Sequence, residues 1–437
     1  MPYVTTRLKP RQKEIDIMDF LNGLVTVDML QPPTRYQNTG TRTFYYDYID
    51  LSKLRKYDIP RQIEALQQFY QKYQHLDICN GNPKYNYELQ IDTIRELKKQ
   101  GISEIELEER CAELLEAKGF GYNPLYKTFF IPKSSSTPGH TKWRRIDAPH
   151  QELKDCLSNL KQLFELMMDG CYYHTSAFAY IHNRSAKDAV SKHANNKSNW
   201  FLKIDFSNFF GSTTPEFVMR MLSDIFPFSE IVRYEEGAEA LKNCLNLCFL
   251  DGGLPQGTPM SPILTNIMMI PIDHQISNTL SKQMVVSPKG RECSYTYTRY
   301  ADDIIVSNKL NFDHRKVVEY VKRVLEHYNA PFTLNDRKTR YGSNAGENWM
   351  LGLMLNQEHK PTVGHKRKKQ LKAMLTNYML DRQAGNVWML EDIYHLQGEI
   401  SYCRSIEPEI IDHIIAQYSR KYGDIKAAIK ADIKAAS

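Results

Sequence analysis

Long apolar runs and paired cysteines are the features that this sequence most clearly lacks. No run approaches the ~18 consecutive apolar residues of a membrane-spanning helix, and residues 1–7 contain no apolar signal core. The eight cysteines form no Cys-x-x-Cys pair and show no metal-ligand spacing with histidine. We therefore expect a cytoplasmic protein with no membrane partner and no structural disulfides.

Acidic residues are absent from two stretches of a chain whose overall charge is only +6. Lys127–Arg145 contains five cations and no acid, and its residue pattern predicts a basic β-hairpin with a loop at residues 134–139. Lys360–Lys372 contains six cations and no acid and runs into a helix with an apolar face. Either stretch is compatible with a simple solvated surface. Both are also typical of proteins that bind phosphates or a nucleic-acid backbone.

The first 118 residues contain no recognisable chemistry. Asp58–Tyr70 and Ser103–Leu115 have the periodicity of amphipathic helices, and Ser103 with Glu106 predicts a capping box at the second of them. Aromatic-rich Thr43–Ile49 is a candidate strand. Packing, RNA contact and oligomer contact remain open as roles for this extension.

Two acidic positions end strand-like runs. Tyr295–Ser307 is rich in β-branched and aromatic residues around the pair Asp302 and Asp303, which predicts a hairpin with acids at its turn. Asp205 follows the strand-like run Trp200–Ile204. Adjacent acids repel each other, so a fold that presents both commonly binds a cation there. An ordinary turn at a sheet edge is the alternative for the hairpin alone.

Carboxylates from separate strands can hold magnesium if the fold brings them together. Mg²⁺ takes oxygen ligands, typically one or two carboxylates and substrate phosphates. A pair of ions ~3.5–4 Å apart can activate a 3′-hydroxyl and stabilise a leaving pyrophosphate. Three motifs in chain order then resemble the palm of reverse transcriptases: Phe-x-Lys-x-Asp-Phe-x-x-Phe-Phe at 201–210, Leu-Pro-Gln-Gly-x-Pro-x-Ser-Pro at 254–262, and Tyr-Ala-Asp-Asp at 300–303.

The resemblance implies a fold and an activity. We expect an α/β (α+β) right-hand polymerase with fingers, palm and thumb, preceded by a mainly helical N-terminal extension. The expected boundaries are 1–118 for the extension, 119–355 for fingers and palm, and 356–437 for the helical thumb and tail. The implied reaction is RNA-directed addition of dNTPs to a 3′-hydroxyl with two Mg²⁺ ions.

The resemblance also implies roles for individual residues. The expected catalytic residues are Asp205, Asp302, Asp303 and, as a general acid near the pyrophosphate, Lys338. The expected metal ligands are Asp205, Asp302, Asp303 and the Phe206 carbonyl. The expected nucleotide-binding residues are Lys133, Arg144, Arg145, Phe206, Phe210 and Gln256. The expected nucleic-acid-binding residues of the thumb are Lys366, Arg367, Lys368 and Lys369.

Phe210 stands where, in this family, a bulky ring excludes the ribose 2′-hydroxyl, which favours DNA synthesis over RNA synthesis. Two adjacent aromatic residues make the assignment ambiguous, because one of them could be plain core. If the local backbone is extended, alternation places the two rings on opposite faces. We therefore assign Phe209 to the core and Phe210 to the nucleotide gate.

Within the family, the chain is similar to bacterial retron-type and defence-associated reverse transcriptases. It departs from two retron signatures: Asn-Ala-x-x-His becomes Asp188-Ala189 with His193 one residue further on, and Val-Thr-Gly becomes Met350-Leu351-Gly352. We expect His193 to be a structural or template-contacting side chain.

The resemblance further implies antiviral defence, a structured noncoding RNA as template, a DNA product, and a homo-oligomer or companion defence protein as partner. A retron enzyme making RNA-linked single-stranded DNA, and protein-primed or template-independent DNA synthesis, remain as alternatives. An RNA-dependent RNA polymerase and an inactive RNA-binding scaffold are the less favoured ones.

Overall fold

The computed structural model describes residues 58–77, 86–122, 125–132, 143–168, 173–344 and 350–436. The three motifs at 201–210, 254–262 and 300–303 all lie within these ranges. The predicted strand at Thr43–Ile49, the loop at residues 134–139 and the predicted nucleotide contact Lys133 lie outside them.

Helices dominate the described chain. In chain order they are α1 Ile59–Tyr73, α2 Tyr87–Lys99, α3 Glu104–Glu116, α4 Gln151–Met167, α5 Ala186–Asn195, α6 Phe209–Ser212, α7 Pro215–Leu222, α8 Phe228–Ile231, α9 Glu235–Asn246, α10 Ser261–Met268, α11 Ile270–Lys282, α12 His314–His327, α13 Gly364–Gln383, α14 Leu390–Ile406, α15 Pro408–Tyr422 and α16 Ile425–Ala436.

The strands are short and pair antiparallel. They are β1 Tyr126–Pro132, β2 Trp143–Pro149, β3 Trp200–Ser207, β4 Met284–Val286, β5 Glu292–Ser294, β6 Thr296–Tyr300, β7 Asp303–Asn308, β8 Thr333–Leu334, β9 Arg340–Ser343, β10 Met354–Leu355 and β11 Pro361–Thr362. Hairpins are formed by β1 with β2, β4 with β5, β6 with β7, and β10 with β11. Strand β3 lies beside β7, and β8 and β9 both pair with β3.

The chain folds as two compact units, each assembled from three separate segments. Unit 1 comprises residues up to 182, 205–279 and 315–337, and unit 2 comprises 183–204, 280–314 and 338–437.

In unit 1, helix α1 starts where the sequence predicts. The Asp58 carboxylate accepts a hydrogen bond from the Arg61 amide at 3.1 Å, which satisfies one of the free amides of the first turn. Its apolar face, with Ile63 and Leu66 buried, packs against α4, α8 and α9. Helices α2 and α3 pack on each other around a small cluster that includes Cys111.

The start of α3 follows the prediction, but its predicted capping box is wrong. Ser103 precedes the helix without capping a backbone amide. Its hydroxyl instead donates to the Glu106 carboxylate at 3.1 Å. The short hydroxyl side chain therefore satisfies a neighbouring acid rather than the helix end.

Unit 1 also contains the basic hairpin of β1 and β2, whose seven paired positions run from Tyr126 opposite Pro149 to Pro132 opposite Trp143. Helix α4 follows directly, and four apolar residues at helical spacing are buried on it: Leu153, Leu157, Leu160 and Phe164. The predicted basic hairpin is thus confirmed as a local element.

Unit 2 is built around the sheet β6–β7–β3, with β9 beside β3. Its core joins Val190 of α5, Phe201 of β3 and Ile305 of β7 to the apolar faces of the C-terminal helices α13 to α16. Strand β3 passes from unit 2 into unit 1, where Phe206 and Ser207 pair with β8.

No helix in the described ranges combines the length and apolar character needed to cross a membrane. Cys244, on α9, and Cys248, just after it, are fully buried thiols.

Candidate active site

The β6–β7 hairpin of unit 2 presents the predicted acid pair. Tyr300 pairs with Asp303 at the end of the ladder, and Ala301 takes a positive φ of 55°, which closes the chain in a tight turn. Ala301 is buried, whereas Asp302 and Asp303 are both partly exposed. The turn therefore lifts the two carboxylates out of the sheet, as predicted, rather than sealing them in an apolar interior.

A buried arginine supports this turn. Arg299 has no exposed surface, and its guanidinium donates to the Ala301 carbonyl at 3.1 Å. Sequence reasoning did not single out Arg299, although a cation inside a run of strand-forming residues is a recognisable signal. Its guanidinium thus binds the main chain of the turn that carries the two acids.

Lys203 on β3 is the second cation that sequence reasoning left without a role. Burial lowers its pKa to about 8, the nearby charge of Arg340 acts in the same direction, and Asp303 acts against both. Lys203 therefore lies within electrostatic reach of Asp303. The structure groups the acidic turn with a partly buried lysine, although the sequence separates Lys203 and Asp303 by 100 residues (303 − 203).

In unit 1, the last residues of β3 include the other predicted acid. Asp205 is partly exposed, and its carbonyl accepts a hydrogen bond from the Asn335 amide at 2.8 Å. The Phe206 ring is buried against Phe209 and Phe332, with ring centroids 5.2 and 5.4 Å away. Only the main chain of Phe206 is thus available for the predicted contact with a metal ion.

The two adjacent aromatic residues after β3 have different environments. Phe209 is 3% exposed and packs on Phe332 at 4.9 Å, whereas Phe210 is partly exposed with its ring at 72° to that of Phe209. The backbone here is helical rather than extended, because both residues begin the short helix α6. The divergence of the rings comes from helical rotation and not from strand alternation.

The glycine-rich loop ahead of α10 contacts the backbone of Phe210 directly. The Leu254 amide donates to the Phe210 carbonyl at 3.0 Å. A Cβ on Gly253 would lie only 2.3 Å from the Gly211 carbonyl oxygen, so a glycine is required for this approach. Gln256 is partly exposed, and its carbonyl accepts from the Asp147 amide of β2 at 2.8 Å.

The two arginines predicted to bind nucleotide phosphates differ in their surroundings. Arg144 is exposed. Arg145 donates to Asp147 and to Asp251, both at 2.8 Å, and burial raises the pKa of the Asp147 carboxyl although Arg145 opposes this. Arg145 thus joins β2 to the start of the glycine-rich loop, and Arg144 is the more exposed of the two arginines.

The thumb cations also separate into two groups. Lys366 and Lys369 on α13 are exposed. Arg367 makes two hydrogen bonds to Glu399, at 2.7 and 3.0 Å, and Lys368 binds Glu407 at 2.7 Å. The sequence predicted four equivalent cations, whereas two of them form ion pairs that connect α13 to α14 and to the residue just beyond α14.

Lys338 is exposed in the segment between β8 and β9. Unit 2 therefore contains Asp302, Asp303, Lys338 and the thumb cations, and unit 1 contains Asp205, Phe206, Phe210, Gln256, Arg144 and Arg145. Within the described residues, no cluster of three or more His, Cys, Asp or Glu side chains is arranged to hold a metal ion.

Comparison with known proteins connects these elements to a family. The family model described as reverse transcriptase (RNA-dependent DNA polymerase) matches residues 131–371, more than half of the 437-residue chain. The retron Ec73 reverse transcriptase of Escherichia coli is 28% identical over 254 residues, covering 57% of this chain and 74% of the relative. The retron Ec83 reverse transcriptase of the same organism is 26% identical over 312 residues, covering 68% and 87%.

Among solved structures, a telomerase from Candida tropicalis, in complex with a telomeric RNA fragment, matches with a TM-score of 0.41 and 14% identity. The match covers 68% of this chain and 55% of that one. The assignment rests on the family match, which confirms the predicted resemblance, the fold class and the RNA-directed DNA polymerase activity. The chain belongs to the reverse transcriptases.

Proposed function

We propose that this reverse transcriptase copies a structured noncoding RNA into DNA, using two Mg²⁺ ions bound by Asp205, Asp302 and Asp303. The observation that carries the proposal is the acidic turn, since Asp302 and Asp303 are partly exposed at the end of the β6–β7 hairpin. Two curated relatives are named as retron enzymes, and the chain spans 74% and 87% of their lengths.

The donor set suits magnesium. Reverse transcriptases work with divalent metal ions, and the predicted ligands here are hard oxygen atoms: carboxylates and the Phe206 carbonyl. Mg²⁺ commonly takes only one or two protein carboxylates and completes its shell with substrate phosphates and water. When bound, the ions would supply activation of the primer hydroxyl and neutralisation of the leaving pyrophosphate.

The remaining predicted residues would select and orient the nucleotide. Arg144, with Lys133, would bind the triphosphate, and Gln256 would lie near the templating base pair. Phe210 would exclude a ribose 2′-hydroxyl, which its partial exposure and its backbone bond to Leu254 support. Lys338 would donate a proton to the pyrophosphate.

The proposed organisation keeps the boundaries predicted from the sequence: an extension over residues 1–118, fingers and palm over 119–355, and a thumb over 356–437. The proposed partners are dNTPs, the RNA template, the DNA product and, in antiphage defence, a second copy of this chain or a companion protein.

Met350-Leu351-Gly352, which stands where retron enzymes have Val-Thr-Gly, forms a tight turn. Leu351 and Gly352 both have positive φ, 53° and 78°.

The proposal is tested by replacing Asp302 with asparagine. The substitution preserves size and removes a negative charge, so dNTP incorporation on an RNA template should fall below detection while RNA affinity stays within about twofold. Asp392→Asn, at an exposed position in the first turn of α14, is the matched control and should retain activity. Unchanged synthesis by Asp302→Asn would rule out the assignment.

A further inference from the structure

His193 is completely buried, yet both of its ring nitrogens have hydrogen-bond partners. The residue is 0% exposed. Its Nδ1 lies 2.6 Å from the Ser307 hydroxyl and its Nε2 lies 2.7 Å from the Thr298 hydroxyl. Ser307 belongs to β7 and Thr298 to β6. One imidazole on α5 therefore joins both strands of the acidic hairpin.

The direction of these hydrogen bonds follows from counting protons. The Ser307 hydroxyl donates to the Ser198 hydroxyl at 2.8 Å, and a hydroxyl has only one proton to give. Ser307 must then accept from Nδ1–H of His193, and Nε2 must accept from Thr298. Each proton is thus donated once along the hydrogen-bond network from Thr298 through His193 and Ser307 to Ser198. Hydrogen bonds connected in this way strengthen one another.

The ring stays neutral in this arrangement. A second proton on His193 would displace the Thr298 donor and place a charge where no water reaches. Burial accordingly lowers the pKa of His193 to about 3, and the charge of Lys192 acts in the same direction. The hydrogen-bonding pattern is therefore fixed throughout the pH range in which a polymerase is assayed.

The hydrogen bond between His193 and Thr298 lies close to the acidic turn and on one face of the β6–β7 hairpin. Thr298 pairs with Ile305, and two positions further along Tyr300 pairs with Asp303. Because side chains alternate along a strand, Thr298 and Asp303 lie on the same face, about 7 Å apart along the strand direction. The hydrogen bond from Thr298 to His193 therefore lies two residues along β6 from the pair that closes the acidic turn.

Helix α5 is itself held in place. A capping box closes its first turn, and the Lys187 ammonium donates to the Ser405 carbonyl at the end of α14 at 2.7 Å. The His193 ring meets the Phe201 ring edge to face at 6.2 Å. The helix can therefore act as a rigid support for the hairpin.

We propose that His193 is a positioning residue for DNA synthesis, which holds the β6–β7 hairpin so that Asp302 and Asp303 are presented to the metal ions in a fixed position. The inference rests on the proposed role of these two aspartates as metal ligands. Contact with a template, the other role expected for His193, is incompatible with its complete burial.

Thr298→Val is the central variant, because it removes the hydroxyl while keeping the shape and strand preference of the residue. The single-turnover rate of dNTP incorporation should fall by about 10- to 100-fold, and half-maximal activity should require several times more Mg²⁺. RNA affinity should be unchanged. Thr296→Val makes the same substitution two residues earlier on β6, where the side chain is partly exposed, and should behave as wild type.

Substitutions of His193 separate the two hydrogen bonds. His193→Phe keeps the ring and loses both bonds, and should match or exceed the defect of Thr298→Val. His193→Asn places an amide near the Nδ1 position and His193→Gln places one near Nε2, so each should recover part of the rate. If His193→Phe does not fold, Thr298→Val and Ser307→Ala provide the test.

Amide hydrogen exchange gives a readout that does not depend on polymerase activity. In Thr298→Val and His193→Phe, a peptide covering residues 300–304 should exchange faster than in the wild type, without substrate present. If His193 only stabilises the fold, the variants should have a lower melting temperature but an unchanged rate, Mg²⁺ requirement and exchange of residues 300–304. That result would overturn the inference. An inactive wild type would refute the proposed function, and the exchange data would still decide the role of His193.

Discussion

Replacing Lys366 and Lys369 together by alanine tests which cations at the start of α13 reach a bound nucleic acid. Both side chains are exposed, whereas Arg367 and Lys368 between them are committed to Glu399 and Glu407. The exposed pair should therefore contribute to the salt dependence of binding, and the ion-paired residues should contribute to stability instead.

The expected size of the salt effect follows from counterion release. Each phosphate contact adds about 0.9 to the slope of log affinity against log salt concentration, so losing two should reduce the slope by about 1.8. Between 50 and 200 mM salt, two such contacts account for about a 12-fold fall in affinity. The double variant should therefore bind more weakly at low salt and lose less affinity as salt is added.

Lys368→Ala should have the opposite profile. The substitution leaves the Glu407 carboxylate, whose side chain is 8% exposed, bound only to the Thr362 hydroxyl and the Val363 amide. Breaking a fully buried ion pair costs about 3–5 kcal/mol. Because the Lys368 side chain is 22% exposed, we expect about 2 kcal/mol here, with an unchanged salt slope.

The assay is fluorescence anisotropy of a labelled RNA–DNA hybrid at several KCl concentrations, combined with urea unfolding of each variant. Lys430→Ala, at an exposed position on α16, serves as the control for simple loss of charge. If Lys368→Ala lowered the salt slope by about 0.9, the share expected for one phosphate contact, while leaving stability intact, the division of the thumb cations would be wrong.

Two further predictions concern the gate and the buried histidine. Phe210→Ala should lower the preference for dNTPs over rNTPs, measured as a ratio of kcat/KM values, by about 10- to 100-fold. Phe209→Ala should instead cost about 3–5 kcal/mol of stability without a matching loss of that preference. An unchanged ratio in a folded Phe210→Ala variant would refute the role of Phe210 as a gate. His193 has a pKa of about 3 when folded and about 6.5 when unfolded, so the unfolded chain binds the extra proton and stability falls as pH drops below about 6.5. Between pH 7 and 5.5 the wild type should lose about 1 kcal/mol from this group, and urea unfolding of His193→Gln should lack that loss; equal pH dependence would contradict the neutral buried ring.

Local patterns predicted the elements that depend on neighbouring residues. The amphipathic period of Asp58–Tyr70 predicted α1 and that of Ser103–Leu115 predicted α3, because helix formation is decided within a few turns of chain. The acidic turn was predicted for the same reason, since strand-forming residues flank Asp302 and Asp303 on both sides.

Contacts between distant residues could not be predicted in this way. Glu399 and Glu407 lie 32 and 39 residues from the cations they bind, and no local pattern shows that Arg367 and Lys368 are occupied. Ser307 is 114 residues from His193. Phe332, whose ring packs on Phe209 at 4.9 Å, is 123 residues away along the chain (332 − 209).

The close approach of Gly253 to Gly211 restricts how the enzyme can be engineered. A methyl group added at position 253 would lie only 2.3 Å from a backbone oxygen, so no side chain fits at this crossing unless the main chain moves. Directed evolution toward wider sugar acceptance therefore has little to gain from randomising position 253. Libraries that alter the length of the loop, or that vary Phe210 itself, change this region without placing a side chain between Gly253 and Gly211.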